Sequence, residues 1–313
     1  MRRGGLTLME LLVVLLVLAV MTTIAIRATE NVVQQARYDA AQRGLLELRQ
    51  AIIGPDNERD LDGTLLITGF VADVGRLPKA SGNSPTTQLA ELWSNPFGLA
   101  AFGIKPASTD SGDHYRRHEV FVPCGWRGSY LRLPIGMAEL RDGWGNPYVL
   151  LQADNSPASA DAPITWIRSL GADNTAGGTD YNTDVEIAST PPLTINAAIT
   201  VTVRLAPDDM GVPMELDDEA KIVVKCFGPD PATGGVDGQI DGGKDSCKIV
   251  DIPSGSTSVT VTVNTTIGPR TIRAYQVKNP MGEANDDVTA LSDPVRLMVR
   301  PGGQAKDVII RPK

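Results

Sequence analysis

One uninterrupted apolar stretch near the N-terminus limits what this chain can fold into. Residues 6–26 read LTLMELLVVLLVLAVMTTIAI and contain a single charged residue, Glu10. A helix needs about 20 apolar residues to cross a bilayer once, so the stretch has the length of one crossing. Arg2 and Arg3 precede it, and positive charge favours the cytoplasmic end of a membrane helix. We therefore expect a single-pass anchor with the rest of the chain outside the cytoplasm.

The residues after this stretch continue the helix. Apolar and small residues recur at helical spacing between Val33 and Ile52, with charged residues between them, which predicts an amphipathic extension. A cleaved secretory signal is the alternative, but no small-x-small cleavage site closes the apolar run. The helix is expected to end at Gly54-Pro55, because proline disfavours helix in the residue before it.

Composition argues against several classes of function. The chain has 37 acidic and 29 basic side chains and a net charge of -8, which disfavours nucleic acid as a partner. Two histidines and three cysteines do not suffice for multi-histidine catalysis or a usual zinc site. His114 and His118 lack the intervening glutamate of a metalloprotease helix, so we interpret them as surface residues. A membrane-anchored hydrolase that uses carboxylates such as Asp142 or Asp173 is the enzymatic alternative; no catalytic constellation stands out, and we expect no enzyme.

The start of the apolar stretch carries a resemblance to a known family. Residues 5–12, GLTLMELL, resemble the class III signal of type IV pilins and type II secretion pseudopilins. The resemblance implies that a prepilin peptidase cuts after Gly5 and that the new amino group of Leu6 is methylated. It also implies that Glu10 meets the amino terminus of a neighbouring subunit in a filament. An unpaired carboxylate is costly inside a bilayer, which agrees with that role; a protonated Glu10 near the headgroups is the alternative.

Further segments resemble the major, G-type pseudopilin of type II secretion. They are residues 125–131, GWRGSYL, and residues 142–148, DGWGNPY, with a weaker match at residues 69–78, GFVADVGRLP. Gly-Asn-Pro forces a tight reversal, and residues 148–151 have the pattern of a strand. We expect Trp144 and Tyr148 to pack a small sheet against the long helix.

The glycine-rich segment 169–185, SLGADNTAGGTDYNTDV, is similar to the calcium loop of that pseudopilin. Calcium prefers six to eight hard oxygen ligands. The resemblance implies a calcium site with the carboxylates of Asp173, Asp180 and Asp184, the carbonyl of Leu170, and Asn182 or Thr183 as helpers. A solvated turn is the alternative. Residues 237–245, DGQIDGGKD, match only the start of an EF-hand loop and are a weaker candidate.

The last third of the chain lies beyond this resemblance. β-Branched residues alternate with polar ones in six short runs, which predicts an antiparallel, immunoglobulin-like β-sandwich. The runs are residues 199–205, 221–226, 259–263, 271–277, 295–299 and 308–310. Cys226 and Cys247 flank a loop rich in Gly, Pro and Asp, and an oxidising periplasm would permit a disulfide between them, leaving Cys124 unpaired.

The sequence thus predicts an α+β protein in four parts: a leader over residues 1–5, a transmembrane and amphipathic helix over 6–53, a pilin-like globular domain over 54–188 and a β-sandwich over 189–313. The predicted function is a structural subunit of a periplasmic type II secretion pseudopilus, anchored in the inner membrane. Its expected partners are further copies of itself, other pseudopilins, the prepilin peptidase and the inner-membrane secretion platform. A type IV pilin or minor pilin that displays the sandwich for adhesion, motility or DNA uptake is the alternative. An anchored carbohydrate-binding module would explain the sandwich but not residues 5–10.

Overall fold

The computed structural model describes residues 8–55, 57–59, 63, 66–79, 89–109, 112, 114–152, 154, 156, 166–186, 195–230, 234–236, 247–278 and 287–313. The chain divides into two compact units. Unit 1 comprises Met1–Leu46, Leu140–Val149 and Ile167–Ser189, and unit 2 comprises Glu47–Glu139, Leu150–Trp166 and Thr190–Lys313. The predicted domain 54–188 therefore contributes residues to both units. The predicted leader, the junction at residues 188–189 and the EF-hand-like segment 237–245 lie outside the described residues.

One long helix, α1, spans Leu8–Ile53. Its first half is rich in leucine, which is a good helix former, and contains neither glycine nor proline. The helix ends where the sequence predicts. Gly54 has a φ of 106°, a region that glycine enters without steric cost, and Pro55 follows it. By length and composition, the N-terminal part of α1 is long and apolar enough to cross a membrane.

Strands dominate the rest of the described chain, with one short helix, α2 at Phe70–Val74, and 3-10 turns at Ala90–Leu92, Arg117–Glu119 and Asp180–Asn182. The early strands are β1 Gly103–Pro106, β2 Phe121–Cys124, β3 Val149–Leu151, β4 Trp166–Ser169 and β5 Val185–Glu186. The later strands are β6 Asn196–Leu205, β7 Lys221–Phe227, β8 Cys247–Asp251, β9 Ser258–Thr266, β10 Gly268–Lys278, β11 Asp287–Ser292, β12 Val295–Val299 and β13 Gln304–Pro312.

The later strands form a single sheet of unit 2. Its order is β8-β7-β10-β11-β13-β6-β9, and β12 pairs with β10. The pairs are antiparallel except for β13 and β6, which are parallel. Strand β9 at one end contacts β7 and β8 at the other, so the sheet nearly closes on itself. The α+β class is confirmed, but the eight strands form one nearly closed sheet where the sequence predicts two stacked sheets.

The period-two pattern explains one face of this sheet. On β6, Ile199, Val201 and Val203 are buried and lie opposite buried valines of β9, while Thr200 and Thr202 face threonines across the strands. Successive side chains of a strand point to opposite faces, so the alternating pattern buries the apolar residues on one face and exposes the polar ones on the other.

Strands β7 and β10 are buried on both faces, which strict alternation does not predict. Residues 115–124 cover their second face within unit 2. The ring of Tyr115 meets that of Tyr275 edge-on with 5.0 Å between centroids, and Val120, Val122 and Cys124 pack with Phe227. The middle segment and the C-terminal sheet therefore share one core.

Candidate functional site

The apolar half of α1 exposes its side chains. Leu8 is 82% exposed and Val17 is 48% exposed. An apolar surface of this extent is uncommon on a soluble monomer, so it calls for lipid or neighbouring helices around it. Glu10 lies on this surface with an exposed side chain. The predicted processing residues, Gly5 and Leu6, lie outside the described residues.

Trp144 and Tyr148 contact α1, as their motif predicts. Nε1 of Trp144 donates to Oε1 of Gln34 at 2.8 Å, and the indole meets the ring of Tyr38 edge-on. The hydroxyl of Tyr148 donates to the carbonyl of Ala41 at 3.2 Å. These two side chains attach residues 140–149 to the helix inside unit 1.

Two glycines permit this close approach. A Cβ at Gly44 would lie 2.2 Å from the hydroxyl oxygen of Tyr148, and a Cβ at Gly143 would lie 1.8 Å from the carbonyl oxygen of Arg37. Neither distance occurs between unbonded atoms. A larger residue at Gly44 would displace the Tyr148 ring, and one at Gly143 would push the turn away from the helix backbone.

Asp142 holds the turn that carries these aromatic residues. Its Oδ1 accepts hydrogen bonds from the backbone N–H groups of Trp144 at 3.0 Å and Asn146 at 2.7 Å. Its Oδ2 accepts from the hydroxyl of Ser169 at 2.7 Å. The side chain is buried, and its bonds satisfy the carboxylate within the fold. Asp142 therefore acts as a structural cap that joins the turn to β4.

The loop after β4 contains the predicted calcium ligands. Asn146 Nδ2 donates to the carbonyl of Gly171 at 3.1 Å, and Ala172 N donates to the carbonyl of Tyr181 at 2.9 Å, which closes the loop. Gly178 has a φ of 94°, and a Cβ there would lie 2.5 Å from the Asn182 carbonyl oxygen. The tight loop thus depends on glycine at this place.

The carboxylates of this loop do not converge in the structure. Asp173 Oδ1 accepts from the backbone N–H of Thr175 at 3.1 Å. Asp184 Oδ1 accepts from the N–H of Gly177 at 3.1 Å, and Oδ2 lies 3.5 Å from Nη1 of Arg168. Asp180 is exposed at the start of a 3-10 turn. Across the described residues, no three His, Cys, Asp or Glu side chains are grouped to hold a metal ion. The donor types fit calcium, their arrangement here does not, and calcium binding stays a prediction.

A cluster of ion pairs with buried carboxylates joins two of the resembling segments, and the sequence did not predict it. Asp73 Oδ1 pairs with Nη2 of Arg127 at 2.9 Å, and its Oδ2 accepts from the Tyr130 hydroxyl at 3.1 Å. Burial raises the pKa of Asp73 above its ordinary value, although Arg127 and Tyr130 oppose the shift. Segments 69–78 and 125–131 therefore meet in unit 2 through a buried carboxylate.

A second buried carboxylate completes the cluster. Glu91 accepts from both terminal nitrogens of Arg76, at 2.8 and 2.5 Å, and from the backbone N–H of Lys79 at 2.7 Å. Trp126 Nε1 donates to the carbonyl of Glu91 at 2.8 Å. Neither carboxylate stands out in the sequence, because isolated Asp and Glu residues are usually exposed.

Two arginines on β10 are also buried. Arg270 is 1% exposed, and its guanidinium donates to the carbonyls of Ala72, Ile267 and Pro269. Burial lowers the pKa of Arg270 to about 10, so it stays charged at neutral pH. Arg273 donates to the carbonyls of Ser292 and Arg116 and to Glu119 Oε2, each within 2.8 Å. The strand pattern predicts outward charges here. Segment 115–124 covers Arg273, whereas Arg270 lies on the opposite face of β10 and is buried beside Ala72 of α2.

The remaining predicted residues form no shared site. His114 is exposed and His118 is half-buried. All three cysteines are buried thiols. Cys247 lies directly opposite Lys225, and neighbouring residues of a strand project to opposite faces, so Cys226 and Cys247 lie on opposite faces of the sheet. The predicted disulfide is not formed in the structure for this reason.

Comparison with known proteins identifies no relative of this chain: no family model, no curated protein and no solved structure matches it significantly.

Proposed function

We propose that this chain is a structural subunit of a type II secretion pseudopilus, anchored in the inner membrane and assembled in the periplasm to help export proteins across the outer membrane. The supporting observation is α1, a continuous helix of 46 residues. Its first half exposes an apolar surface that carries Glu10, and Trp144 and Tyr148 fasten its second half to unit 1. A helix whose second half packs on other residues of its unit and whose first half is exposed and apolar suits bundling with copies of itself.

The described polar clusters support a structural role. The carboxylates of Asp73, Glu91 and Asp142 are buried and accept hydrogen bonds from arginines, backbone N–H groups and hydroxyls. Groups used in this way stabilise a fold. The C-terminal strands of the proposed subunit form a single nearly closed sheet.

Substitution of Glu10 tests the assembly role. Glu10→Ala is expected to insert into the inner membrane as well as the unchanged chain and to fail to enter filaments, because the register contact with the neighbouring amino terminus is lost. Glu30→Ala, an exposed glutamate of the same helix beyond the apolar stretch, is the matched control. Membrane fractionation and electron microscopy of sheared filaments give the two readouts. Normal incorporation of Glu10→Ala would contradict the proposed role.

Calcium binding by the 170–184 loop belongs to the same proposal. Binding would require Asp184 to give up its ion pair with Arg168 and to contact the ion instead. The side chains of Asp173 and Asp180 would also have to turn toward the ion. A ligand of the folded state raises its stability by mass action. Isothermal titration of the full chain with Ca²⁺, after EDTA treatment, should detect binding. The Asp184→Asn variant should not bind, whereas Asp209→Asn, a change at an exposed control residue, should bind as the unchanged chain does. Equal heats for all three chains would refute the site.

A minor or tip subunit, of a pseudopilus or a type IV pilus, is the second candidate. The observation that favours it is the size of unit 2, whose eight-stranded sheet exceeds what a compact repeating subunit needs. Gold labelling of an epitope-tagged chain distinguishes the two positions. Label along the whole filament supports the major subunit, and label confined to one end supports the tip.

A further inference from the structure

Strand β12 presents one edge without a strand partner. Val295–Val299 pairs with residues 268–272 of β10, and within the described chain no other strand pairs with it. The next strand, β13, pairs with β11 only through residues 310–312 and otherwise with β6 on its other side. The chain therefore separates β12 from β13 although only four residues connect them.

The orientation of the backbone shows which groups lie on this edge. Ala274 N donates to Ser292 Oγ of β11, so even-numbered residues of β10 direct their N–H and C=O groups toward β11 and β12. Arg270 and Ile272 lie opposite Leu297 and Val295, which therefore form the ladder with β10.

The N–H and C=O groups of Arg296 and Met298 consequently point away from β10. The side chain of Gln304 confirms this direction, because its Nε2 donates to the Met298 carbonyl at 2.9 Å. An edge strand with outward backbone groups is a template for an added strand.

A basic cleft of about 690 Å³ borders the same edge. Residues of β1, β2, β10, β12 and β13 line it, and its charged lining residues are Arg270, Arg296, Arg300 and Lys306, with no Asp or Glu. Arg296, Arg300 and Lys306 form no ion pair with described residues, and Nε of Arg300 is buried without a hydrogen-bond partner there. This concentration of cations contrasts with the net charge of -8 of the chain.

We propose that the cleft binds an extended acidic peptide segment of another protein, which adds as a strand to the outer edge of β12. Strand addition would satisfy the N–H and C=O groups of Arg296 and the N–H group of Met298, whose carbonyl already accepts from Gln304 Nε2. Carboxylates of the peptide would pair with Arg296, Arg300 and Lys306. We infer an acidic peptide because the charged residues that line the cleft are all cations. We infer an extended peptide because only an extended segment can pair with the outer edge of β12. The inference does not depend on the proposed function.

Binding of short labelled peptides to the full chain in detergent micelles tests the proposal by fluorescence anisotropy. The probe is fluorescein-labelled Glu-Thr-Glu-Val-Glu-Thr, with two controls: the same peptide N-methylated at alternate residues, and its lysine counterpart. The acidic peptide should bind, with affinity falling as salt rises. The lysine peptide should not bind, and the N-methylated peptide should bind at least about tenfold more weakly because it cannot complete a ladder.

Substitutions locate the site. Arg296→Gln and Lys306→Gln should each weaken binding about two- to fivefold, as expected for single exposed ion pairs. Arg132 and Lys248 are exposed cations outside the cleft. Arg132→Gln and Lys248→Gln therefore make the same charge change and should leave binding intact. Met298→Pro removes an outward N–H without removing a cation, and proline is tolerated on strand edges, so it should also weaken binding.

Three outcomes overturn the proposal. Equal binding of the N-methylated and parent peptides would show attraction by charge alone. Equal losses in the cleft variants and their controls would place the site elsewhere. A single-stranded oligonucleotide or phosphatidylglycerol vesicles could also bind more tightly than the acidic peptide. If Arg296→Gln abolished that binding, the cleft would belong to a different class of partner.

Discussion

Glu91 offers the sharpest test of how unit 2 is stabilised. Its side chain is fully buried, and the side chain of its partner Arg76 is 13% exposed. In Glu91→Gln, the remaining amide oxygen can still accept from Lys79 N and from one nitrogen of Arg76. The new NH₂ group would then face the second Arg76 nitrogen, so that two donors oppose each other.

The loss of unfolding free energy in Glu91→Gln follows from the Arg76 charge that the substitution leaves without a partner. Breaking a buried pair costs about 3 to 5 kcal/mol because one charge stays in the interior uncompensated. Arg76 keeps some contact with water, so we expect the lower end, about 3 kcal/mol. With a urea dependence of about 2 kcal/mol per molar, the unfolding midpoint should fall by about 1.5 M.

Urea titration of the full chain in micelles, followed by tryptophan fluorescence, measures this change, and Trp126 lies within the cluster. Glu219→Gln, an exposed glutamate 3.9 Å from Lys278, is the control and should not shift the midpoint. The double variant Arg76→Met/Glu91→Leu should recover much of the loss, since it removes both charges of the pair. A loss below about 1 kcal/mol for Glu91→Gln, typical of exposed pairs, would refute the reasoning.

Three further predictions concern the Tyr148 anchor, the Asp73 carboxyl and the cysteines. Tyr148→Phe removes the hydrogen bond to the Ala41 carbonyl and should lower the free energy of unfolding by about 1 kcal/mol, measured by chemical denaturation; an unchanged value would argue against this anchor. Burial raises the pKa of Asp73, so the folded state holds this proton more tightly, and stability should fall as the pH rises from 3.8 through the folded pKa. Asp73→Asn should abolish that part of the pH dependence, and identical pH profiles would contradict it. Alkylation of denatured, unreduced protein should modify all three cysteines, whereas labelling of Cys124 alone would restore the predicted disulfide.

Periodicity predicted the regular elements well. The helix ends at Ile53, directly before Gly54-Pro55, and the six β-branched runs all lie inside strands, with β12 at the predicted bounds. Local patterns suffice here because helix termination and strand alternation depend on neighbouring residues. Strands β1, β2, β5, β8 and β11 were not predicted. The residues of β8, for example, are mostly exposed or polar, so they give no alternating signal.

Contacts between distant segments were beyond local patterns. The sequence gives no sign that Asp73 meets Arg127 or that Glu91 meets Arg76, because each pair is separated by at least 15 residues. The structure does not form the predicted disulfide for a related reason. Cysteine spacing suggested a closed loop, but the register of β7 and β8 determines the face on which each thiol lies.

The shared core predicts what truncation after residue 189 would do. The sequence suggests a separable C-terminal domain, but Tyr115, Val120 and Val122 are buried in unit 2 together with residues of the C-terminal sheet. Exposing these three side chains costs about 5 kcal/mol or more, which is comparable with the whole stability of a domain.

Arg273 strengthens this expectation, because removing it also leaves the carbonyl of Arg116 and the carboxylate of Glu119 without a buried donor. The truncated chain should therefore be cut by protease between residues 115 and 124, where we expect the full chain to resist. Limited proteolysis with mass spectrometry locates the cuts. Equal resistance of this segment in both chains would show that residues 54–139 fold without the sheet, and that the C-terminal third is an independent addition.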